Sequence, residues 1–323
     1  MTYLSRKKIG GKYYWYAVRS IRLPNGKVKK LSKLVKGPAE AKSTDIEAYF
    51  DEKEAEAYVE YARKNYVPLK LPQKDALDKM ERMRIGYRKI LAKLSPNQLH
   101  DLFDRFTVNF TYESNAIEGN SLTLRDVAII ISENVSIKGK DLREIYETKN
   151  SREVVDLILR KKFAVRKKFA VREKDILKMH SILVKDMGIS TGYKKLPNYI
   201  HGRQVVTTAP ENVSGEMEKL LSWFEEEKEK MHPLQLAARF HGKFEGIHPF
   251  EDGNGRVGRF LINTILVNAD YSPLIIRKTQ MISYFNALED FDDGRMRTLD
   301  RFLFERFKET NEKFFRIYAK YLK

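Results

Sequence analysis

Apolar residues recur at helical spacing along most of the chain. Ala237, Phe240 and Phe244, for example, fall on one face of a helix that we expect to end at His248-Pro249. This spacing predicts a mainly α-helical protein. The other segments with a helical pattern are 74–94, 97–110, 123–133, 140–160, 173–186 and 212–230, a buried helix over 256–268, and an amphipathic helix from Asp300.

Two segments depart from the helical pattern. Residues 1–37 are rich in aromatic and β-branched side chains, and Gly10-Gly11 and Asn25-Gly26 mark two turns, which predicts a three-stranded antiparallel sheet. Residues 196–210 alternate around His201-Gly202 between two prolines, which predicts a β-hairpin. The expected fold is therefore mainly α, with a small N-terminal antiparallel β module and a hairpin within the helical part.

Changes in composition predict the boundaries between these parts. Thr44 and Glu47 form a capping-box signature at the start of an acidic helix. The hexapeptide KKFAVR occurs twice in tandem, at 161–166 and 167–172, which we interpret as a lengthened connection between helices, with a basic binding patch as the alternative. The expected parts are a β module over 1–40, an acidic helix and linker over 41–74, a main domain over 75–310 and a C-terminal helix end over 311–323.

Composition narrows the class of protein. Of the 323 residues, 42% are hydrophobic, which is enough for a substantial core. The chain has no cysteine, which excludes disulfide scaffolds, thiolate zinc sites and cysteine nucleophiles. It has no apolar stretch long enough to span a membrane and no apolar signal segment at its start, so we expect a cytoplasmic protein with no membrane partner.

Positive charge is concentrated at the N-terminus. Residues 1–37 carry +11 of the net +17, because they hold eleven Lys and Arg and no acid precedes Glu40. The aromatic run 13–16 lies among these cations, and stacking combined with phosphate contact makes nucleic acid a candidate partner of this module. The alternative is that the aromatic side chains pack on the acidic helix at 45–60 while the lysines protect the edges of the sheet.

The stretch HPFEDGNGRVGR, residues 248–259, has the composition of an anion site. Gly253 and Gly255 allow backbone N–H groups to converge at the start of the helix that follows. Arg256 and Arg259 lie three residues apart on one face of its first turns. Amides, a helix dipole and two guanidinium groups suit a polyphosphate better than a single carboxylate.

The same stretch also supplies a base and a metal ligand. A free imidazole ionises near neutral pH, so a histidine such as His248 is suited to accept a proton from a hydroxyl. Asp252 offers the hard oxygen that Mg²⁺ takes when it shares a site with phosphates. The other histidines show no HExxH spacing, and we expect His241 to be a packed core residue.

These residues resemble the Fic family. HPFEDGNGRVGR matches the family signature HPFx[D/E]GNGRxxR at every defined position, and FHGKFEGIHPF resembles the helix that leads into it. TYESNAIEGNSLTL resembles the inhibitory segment [S/T]xxxE[G/N], with Ser114 and Glu118 in the defined places. ETKNSREVV and ILKMHSILVKDMGISTGY also resemble family helices, so the likeness covers about 75–310. Where many relatives have an arginine shortly after a glycine, this chain reads Gly192-Tyr193-Lys194-Lys195.

The resemblance implies a helical fold and transfer of AMP from ATP to a Ser, Thr or Tyr hydroxyl of a target protein. It implies that His248 is the base for that hydroxyl and that Asp252 holds Mg²⁺ against the α- and β-phosphates. Phosphoryl-type transfers depend mostly on positioning and charge neutralisation, which agrees with the residues present. The implied phosphate ligands are Gly253, Asn254 and Gly255 for the α-phosphate, Arg256 for the β-phosphate and Arg259 for the γ-phosphate.

The resemblance also implies regulation and a docking segment. Glu118, with Ser114, would pair with Arg259 and inhibit transfer. Gly255 favours nucleotidyl transfer, because relatives that phosphorylate carry Lys there. The hairpin at 196–210 resembles a flap whose edge strand pairs with the target, and its expected residues are Asn198, Tyr199, Ile200, His201 and Gly202.

Three partners and two other functions stay open at this point. The partners are a target protein, the chain itself as a target, and a second copy in a homodimer. One alternative function is a nucleotide-gated regulator that is silent until a partner binds. The other is a nucleic-acid-binding protein whose main functional part is the N-terminal basic module.

Overall fold

The computed structural model describes residues 2–67, 75–160, 169–200 and 206–317. The chain divides into two compact units. The first comprises Met1–Gly86 and Glu229–His232, and the second comprises Tyr87–Lys228 and Pro233–Lys323. The expected linker residues 68–74 and the first eight residues of the KKFAVR duplication lie outside the described residues, so both interpretations stay predictions.

The first unit contains the three-stranded antiparallel sheet that the sequence predicts. Strands β1 (Thr2–Ile9), β2 (Lys12–Arg22) and β3 (Val28–Val35) lie in the order β1-β2-β3. Gly10 and Gly11 both take positive φ, 57° and 82°, which is the backbone that a two-residue hairpin turn with the right-handed strand twist requires.

One face of the sheet packs on a long helix. After the short helix α1 (Pro38–Ala41), helix α2 (Thr44–Asn65) places Phe50 against a cluster that includes Ala17 and Ile21 of β2. The expectation that the aromatic run 13–16 packs on this helix is wrong in part. Trp15 contacts the cluster, but Tyr13 is 55% exposed and Tyr14 is 37% exposed.

The cap of α2 differs from the predicted one. Ser43 has extended backbone, and its side chain accepts a hydrogen bond from the N–H of Ile46. Thr44 is therefore the first helical residue and not the cap. Glu47 lies one turn further on and forms an ion pair with Arg19 of β2 instead of closing a capping box.

The second unit is helical, and two consecutive helices, α9 (Pro233–Ile247) and α10 (Asn254–Asn268), are largely buried. Thirteen of the fifteen residues of α10 are buried, as the apolar pattern of this segment predicts. Each predicted helix is present within the described residues, and residues 318–323 of the expected C-terminal helix end lie outside them. The helices after α2 are α3 (Ala76–Lys93), α4 (Pro96–Ile117), α5 (Leu124–Glu133), α6 (Leu142–Val155), α7 (Glu173–Leu183), α8 (Val213–Glu227), α9 (Pro233–Ile247), α10 (Asn254–Asn268), α11 (Met281–Asp292) and α12 (Arg297–Thr310). The boundary between the two units falls within α3. A π turn continues α6 over Asp156–Arg160, and another continues α12 over Asn311–Phe315.

Two further observations bear on the sequence predictions. Helix α11 is an element that the sequence analysis did not predict, although Tyr284, Ala287, Leu288 and Phe291 have helical spacing and are buried. Within the described residues, no helix combines the length and apolar content that a membrane span needs.

Candidate active site

The loop 248–253 joins α9 to α10, and its backbone conformation is unusual at both ends. His248 has φ 51°, a left-handed conformation that non-glycine residues rarely adopt, and its N–H donates to the carbonyl of Phe244. Gly253 has φ 83° and precedes the first residue of α10. The loop therefore turns sharply at His248 and again at Gly253, which brings its polar groups to the start of α10.

The His248 side chain lies beside a buried carboxylate. Its Nδ1 is 3.7 Å from Oε2 of Glu245, which is longer than a hydrogen bond but close enough for a strong charge interaction. Burial alone would raise the pKa of Glu245, but the imidazoles of His248 and His241 and the guanidinium of Arg259 lower it to about 2. Glu245 is therefore a buried anion directly behind the imidazole of His248.

His241 is a core residue, as predicted. It is 1% exposed, and its Nε2 lies 2.6 Å from the hydroxyl of Tyr284. Burial also raises the pKa of Tyr284 far above its ordinary value, so that hydroxyl is neutral at all working pH values. His241 thus joins the Tyr284 hydroxyl to the region of Glu245, whose Oε1 lies 3.9 Å from Nδ1 of His241.

Asp252 and Arg256 form a charged network with two residues of α6. Arg256 is 1% exposed, with Nη2 3.5 Å from Oδ1 of Asp252 and Nη1 3.4 Å from Oε1 of Glu147. The other oxygen of Asp252 accepts a hydrogen bond of 2.5 Å from Arg143. Within the described residues, Nε and Nη1 of Arg256 donate no hydrogen bond, so this buried cation retains donors for an anion.

Arg259 is bound to the segment that resembles the inhibitory one. Its Nε donates to the hydroxyl of Ser114 at 2.9 Å, and its Nη2 donates to the carboxylate of Glu118 at 2.7 Å. Burial alone would lower the pKa of Arg259, but Glu118 raises it. The contact between Glu118 and Arg259 that the sequence predicts is present, whereas its effect on activity stays a prediction.

The carboxylate of Glu118 also lies over Gly255 of α10. A Cβ atom at Gly255 would collide with this carboxylate and would lie 3.0 Å from Nη1 of Arg259. A side chain at this position would therefore displace the Glu118 carboxylate from the place that it takes in the structure.

Asn254 holds the loop rather than pointing into open space. Its Oδ1 accepts the N–H of Phe250, and its Nδ2 donates to the carbonyl of the same residue, both at 2.8 Å. Phe250 is fully buried and anchors the loop by packing. In the structure the Asn254 amide is thus engaged by the loop backbone, so direct contact with a phosphate stays a prediction.

His180 of α7 is a site residue that the sequence analysis missed. Its ring stacks on Phe250 at 3.8 Å, and its Nε2 lies 3.0 Å from the carbonyl of Asp252. Burial is the main cause that lowers the pKa of His180 to about 4, so the imidazole is neutral and donates to that carbonyl. The sequence evidence for a site role of His180 is weak, because a single histidine within a helix forms no recognisable motif.

Lys194, the departure from the family pattern, anchors the segment before the predicted hairpin. It is buried, and its Nζ donates to Asn198 and to Thr207, at 2.7 and 3.0 Å. Asn198 in turn donates to the carbonyl of Phe250 at 2.7 Å, which ties this segment to the loop. The segment from 196 to 210 is therefore held against the loop at Asn198.

The structure describes only part of the predicted hairpin. His201 and Gly202, at its expected turn, lie outside the described residues. The described residues on both sides, 197–200 and 206–209, form no strand, while Tyr199 is 86% exposed. The hairpin and its docking role stay predictions.

Several known proteins are similar to this chain. Residues 170–266 match the model of the Fic/DOC family. The chain is 30% identical over 196 residues to the protein adenylyltransferase Fic of Drosophila willistoni, over 59% of this chain and 38% of that protein. It is 31% identical over 195 residues to the protein of the same name from Nematostella vectensis, over 59% of this chain and 45% of that protein.

A solved structure is also similar. A Fic domain containing signaling protein from Bacteroides thetaiotaomicron has a TM-score of 0.60 and 26% identity, and the match covers 74% of this chain and 96% of that one. The chain spans less than half the length of the two adenylyltransferases that it matches.

Proposed function

We propose that this chain, whose residues 170–266 form a domain of the Fic/DOC family, is a protein adenylyltransferase. It would transfer AMP from ATP to a Ser, Thr or Tyr hydroxyl of a target protein, itself included. The observation that carries the proposal is that two buried guanidinium groups, Arg256 and Arg259, lie in the first turns of α10, directly after the loop that contains His248. Carboxylates compensate both cations in the structure. A nucleotide polyphosphate would take over that compensation at Arg259 and use the remaining donors of Arg256.

The transfer follows from the positions of these groups. His248 accepts the proton of the target hydroxyl, whose oxygen forms a bond to the α-phosphorus of ATP. The bond from that phosphorus to the α,β-bridging oxygen breaks, and pyrophosphate leaves. Glu245 lies 3.7 Å from Nδ1 of His248, so its negative charge stabilises the imidazolium that this step creates.

The phosphates would bind at the start of α10. The first backbone N–H groups of a helix lack intrahelical acceptors, so those at Asn254 and Gly255 are suited to the α-phosphate. The N–H of Gly253 donates to Oδ1 of Asp252 in the structure and would join them if Asp252 turned to a metal ion. Arg256 would hold the β-phosphate with the donors that it does not use in the protein. Arg259 would hold the γ-phosphate once Glu118 has released it.

Asp252 fits a magnesium ion that arrives with the nucleotide. The described residues contain no cluster of three ligating side chains, and a nucleotide-bound Mg²⁺ needs only one or two carboxylates because phosphates and water complete its coordination. The side chain of Asp252 is 38% exposed and lies at the mouth of the site. When bound, the ion would neutralise charge on the α- and β-phosphates.

We further propose that Glu118 inhibits the enzyme and that residues 196–210 receive the target. An Arg259 that is bound by Glu118 cannot hold the γ-phosphate, and the carboxylate would repel it. The exposed Leu196, Tyr199 and Val206 lie on a segment tied to the loop through Asn198, which supports docking of the target next to the site.

Intact-mass measurement of the Glu118→Gly variant after incubation with ATP and Mg²⁺ tests the reaction. We expect an adduct with the mass of AMP on the variant, and no adduct on Glu118→Gly combined with His248→Ala. A phosphoryl adduct, or an AMP adduct that persists in the double variant, would contradict the proposal.

A further inference from the structure

The sheet of the first unit has one face that α2 does not cover. Residues opposite each other on the three strands share a face, so the pairs Tyr3–Val18, Ser5–Tyr16 and Lys7–Tyr14 define the face away from α2. On this open face Tyr3 is 47% exposed, and Val28 and Leu34 of β3 are 56% and 54% exposed. Such apolar exposure on a small sheet indicates a surface that binds a partner.

Acidic partners for the cations of the sheet are found on the face that α2 covers. On the covered face, Arg19 is buried against carboxylates of α2, with Nη1 2.8 Å from Asp51 and 3.8 Å from Glu54. Lys29 pairs with Glu60 of the same helix at 3.0 Å. Acidic side chains of α2 thus compensate cations on the covered face, whereas the strands themselves contain no acid.

The open face carries cations on all three strands. There are four of these cations, they lie among the aromatic and apolar side chains of the open face, and all four are exposed. Because the alternation along each strand places them on the same side as Tyr14, they form one positive surface. These open-face cations are Lys7 on β1, Lys12 and Arg22 on β2, and Lys30 on β3.

We propose that this open face binds duplex DNA. Strands β1 and β3 are two strand spacings apart, about 9–10 Å, which is less than the width of a major groove, about 12 Å. Lys7 and Lys30 on the outer strands then face the two phosphate backbones. The central strand presents the hydroxyls of Tyr14 and Ser20 to the base edges.

A cation beside Tyr16 favours a duplex over a single strand. Base stacking on a single strand requires an uncovered ring face. On the open face, the Nζ of Lys7 lies 5.0 Å from the centre of the Tyr16 ring. A cation therefore occupies this ring face, and the polar edge of the ring remains for contacts in a groove.

Fluorescence anisotropy of a labelled duplex of roughly 20 base pairs, two helical turns, tests the proposal with the full chain and no nucleotide. Four phosphate contacts predict that log K falls with log salt with a slope of about −3 to −4, a loss of about a hundredfold between about 50 and 200 mM salt. Lys7→Gln with Lys30→Gln should reduce that slope by about two. Because ATP is absent, the outcome is independent of the adenylyltransferase proposal.

The control variant is Lys138→Gln with Lys174→Gln, which removes the same charge from exposed positions of the second unit. It should bind as the unmodified protein does. Lys12→Gln with Arg22→Gln provides a second test pair, and thermal melts check that each variant is folded. The proposal would be overturned if the control and the test pairs lost DNA affinity equally. Tighter binding of the single strand than of the duplex would also overturn it, as would binding of anionic vesicles without binding of DNA.

Discussion

The carboxylate of Glu118 accepts a hydrogen bond of 2.7 Å from Arg259, although 141 residues separate the two in the chain. The Arg259 side chain is 2% exposed, and the Glu118 side chain is 38% exposed. The contact therefore lies at the inner end of the proposed phosphate site, and solvent still reaches the Glu118 side chain. A hydrogen bond to a charged group contributes about 1.5–3 kcal/mol, which is enough to shift a two-state equilibrium by one to two decades. In the proposed mechanism, the γ-phosphate takes the place of the glutamate on Arg259.

Replacing His248 with Ala should abolish transfer and leave ATP binding intact. The imidazole is needed only when the hydroxyl attacks, and loss of a general base typically lowers the rate by about 10²–10⁴-fold. Transfer of label from α-labelled ATP and calorimetric titration with ATP measure the two properties in the Glu118→Gly background. His100→Ala is the matched control, because His100 is exposed on α4. Retained transfer by His248→Ala would refute the assignment of the base.

Replacing Glu245 with Gln should lower kcat by at least about tenfold while the KM for ATP changes little. The carboxylate lies behind His248 and stabilises the imidazolium, but it touches no expected phosphate position. Steady-state kinetics at several ATP concentrations separate the two constants. Glu226→Gln on the exposed side of α8 is the control. A rise in KM with unchanged kcat would mean that Glu245 acts on nucleotide binding instead.

The stability of the protein in acid should also depend on Glu245. The pKa of Glu245 is lowered from 4.5 to about 2, so its charge stabilises the folded state above pH 4.5, and this contribution is lost as the pH falls towards 2. The Gln variant has no such titration, so the difference in unfolding free energy between the two proteins should shrink over this interval. Chemical denaturation at a series of pH values measures it, and a difference independent of pH would contradict a buried anion.

The order of residues in the loop 248–259 could be interpreted from the sequence because its base, acid and cations are contiguous. Arg143 and His180 could not be assigned in the same way. They reach the loop from α6 and α7, over sequence separations of 109 and 72 residues, and nothing in their local sequence marks the contact. Glu245 lies within a motif but was not singled out, since a glutamate in a helix usually faces solvent.

The fold, like the site, could be predicted from the sequence only in part. Periodicity located the helices because burial of one face is a local property of the sequence. The cap of α2 was displaced by one residue, because Ser43 and Thr44 are both good caps and only the backbone decides between them. Tyr13 and Tyr14 were expected to pack on α2, but the register of the sheet directs Tyr14 to the open face and leaves Tyr13 exposed near the Gly10-Gly11 turn.

Replacing Arg143 with Ala should lower the Mg²⁺ concentration that gives half-maximal activity. Arg143 is 56% exposed and pairs with Asp252, so it competes with a cation for the same carboxylate. An exposed pair contributes about 0.2–1 kcal/mol, so the expected change is about two- to fivefold at most. Titration of activity with Mg²⁺ measures it, with Asp252→Asn expected to change the requirement in the opposite direction. An unchanged requirement in both variants would remove Asp252 from the metal site.

Replacing Gly258 with Ala should destabilise the protein by about 1–3 kcal/mol, as overpacking of a core typically does. A Cβ atom there would lie 2.5 Å from Oε1 of Glu245 and 2.7 Å from Nδ1 of His241, both of which are buried. The matched control is Gly246→Ala in α9, where a Cβ atom meets no atom within 4 Å and should be neutral or stabilising. Thermal or chemical denaturation compares the two, and equal stabilities would mean that Glu245 and His241 are not held against α10.

The initial rate of AMP transfer in the unmodified protein and in Glu118→Gly, at saturating ATP labelled on the α-phosphate, tests the central claim most directly. Removing the carboxylate frees Arg259 for the γ-phosphate, so the variant should transfer label about ten- to a hundredfold faster, at similar thermal stability. Glu113→Gly, one turn earlier on α4 and paired with Arg277 instead of Arg259, is the matched control and should not be faster. A rate in Glu118→Gly that is equal to or lower than that of the unmodified protein would contradict the account.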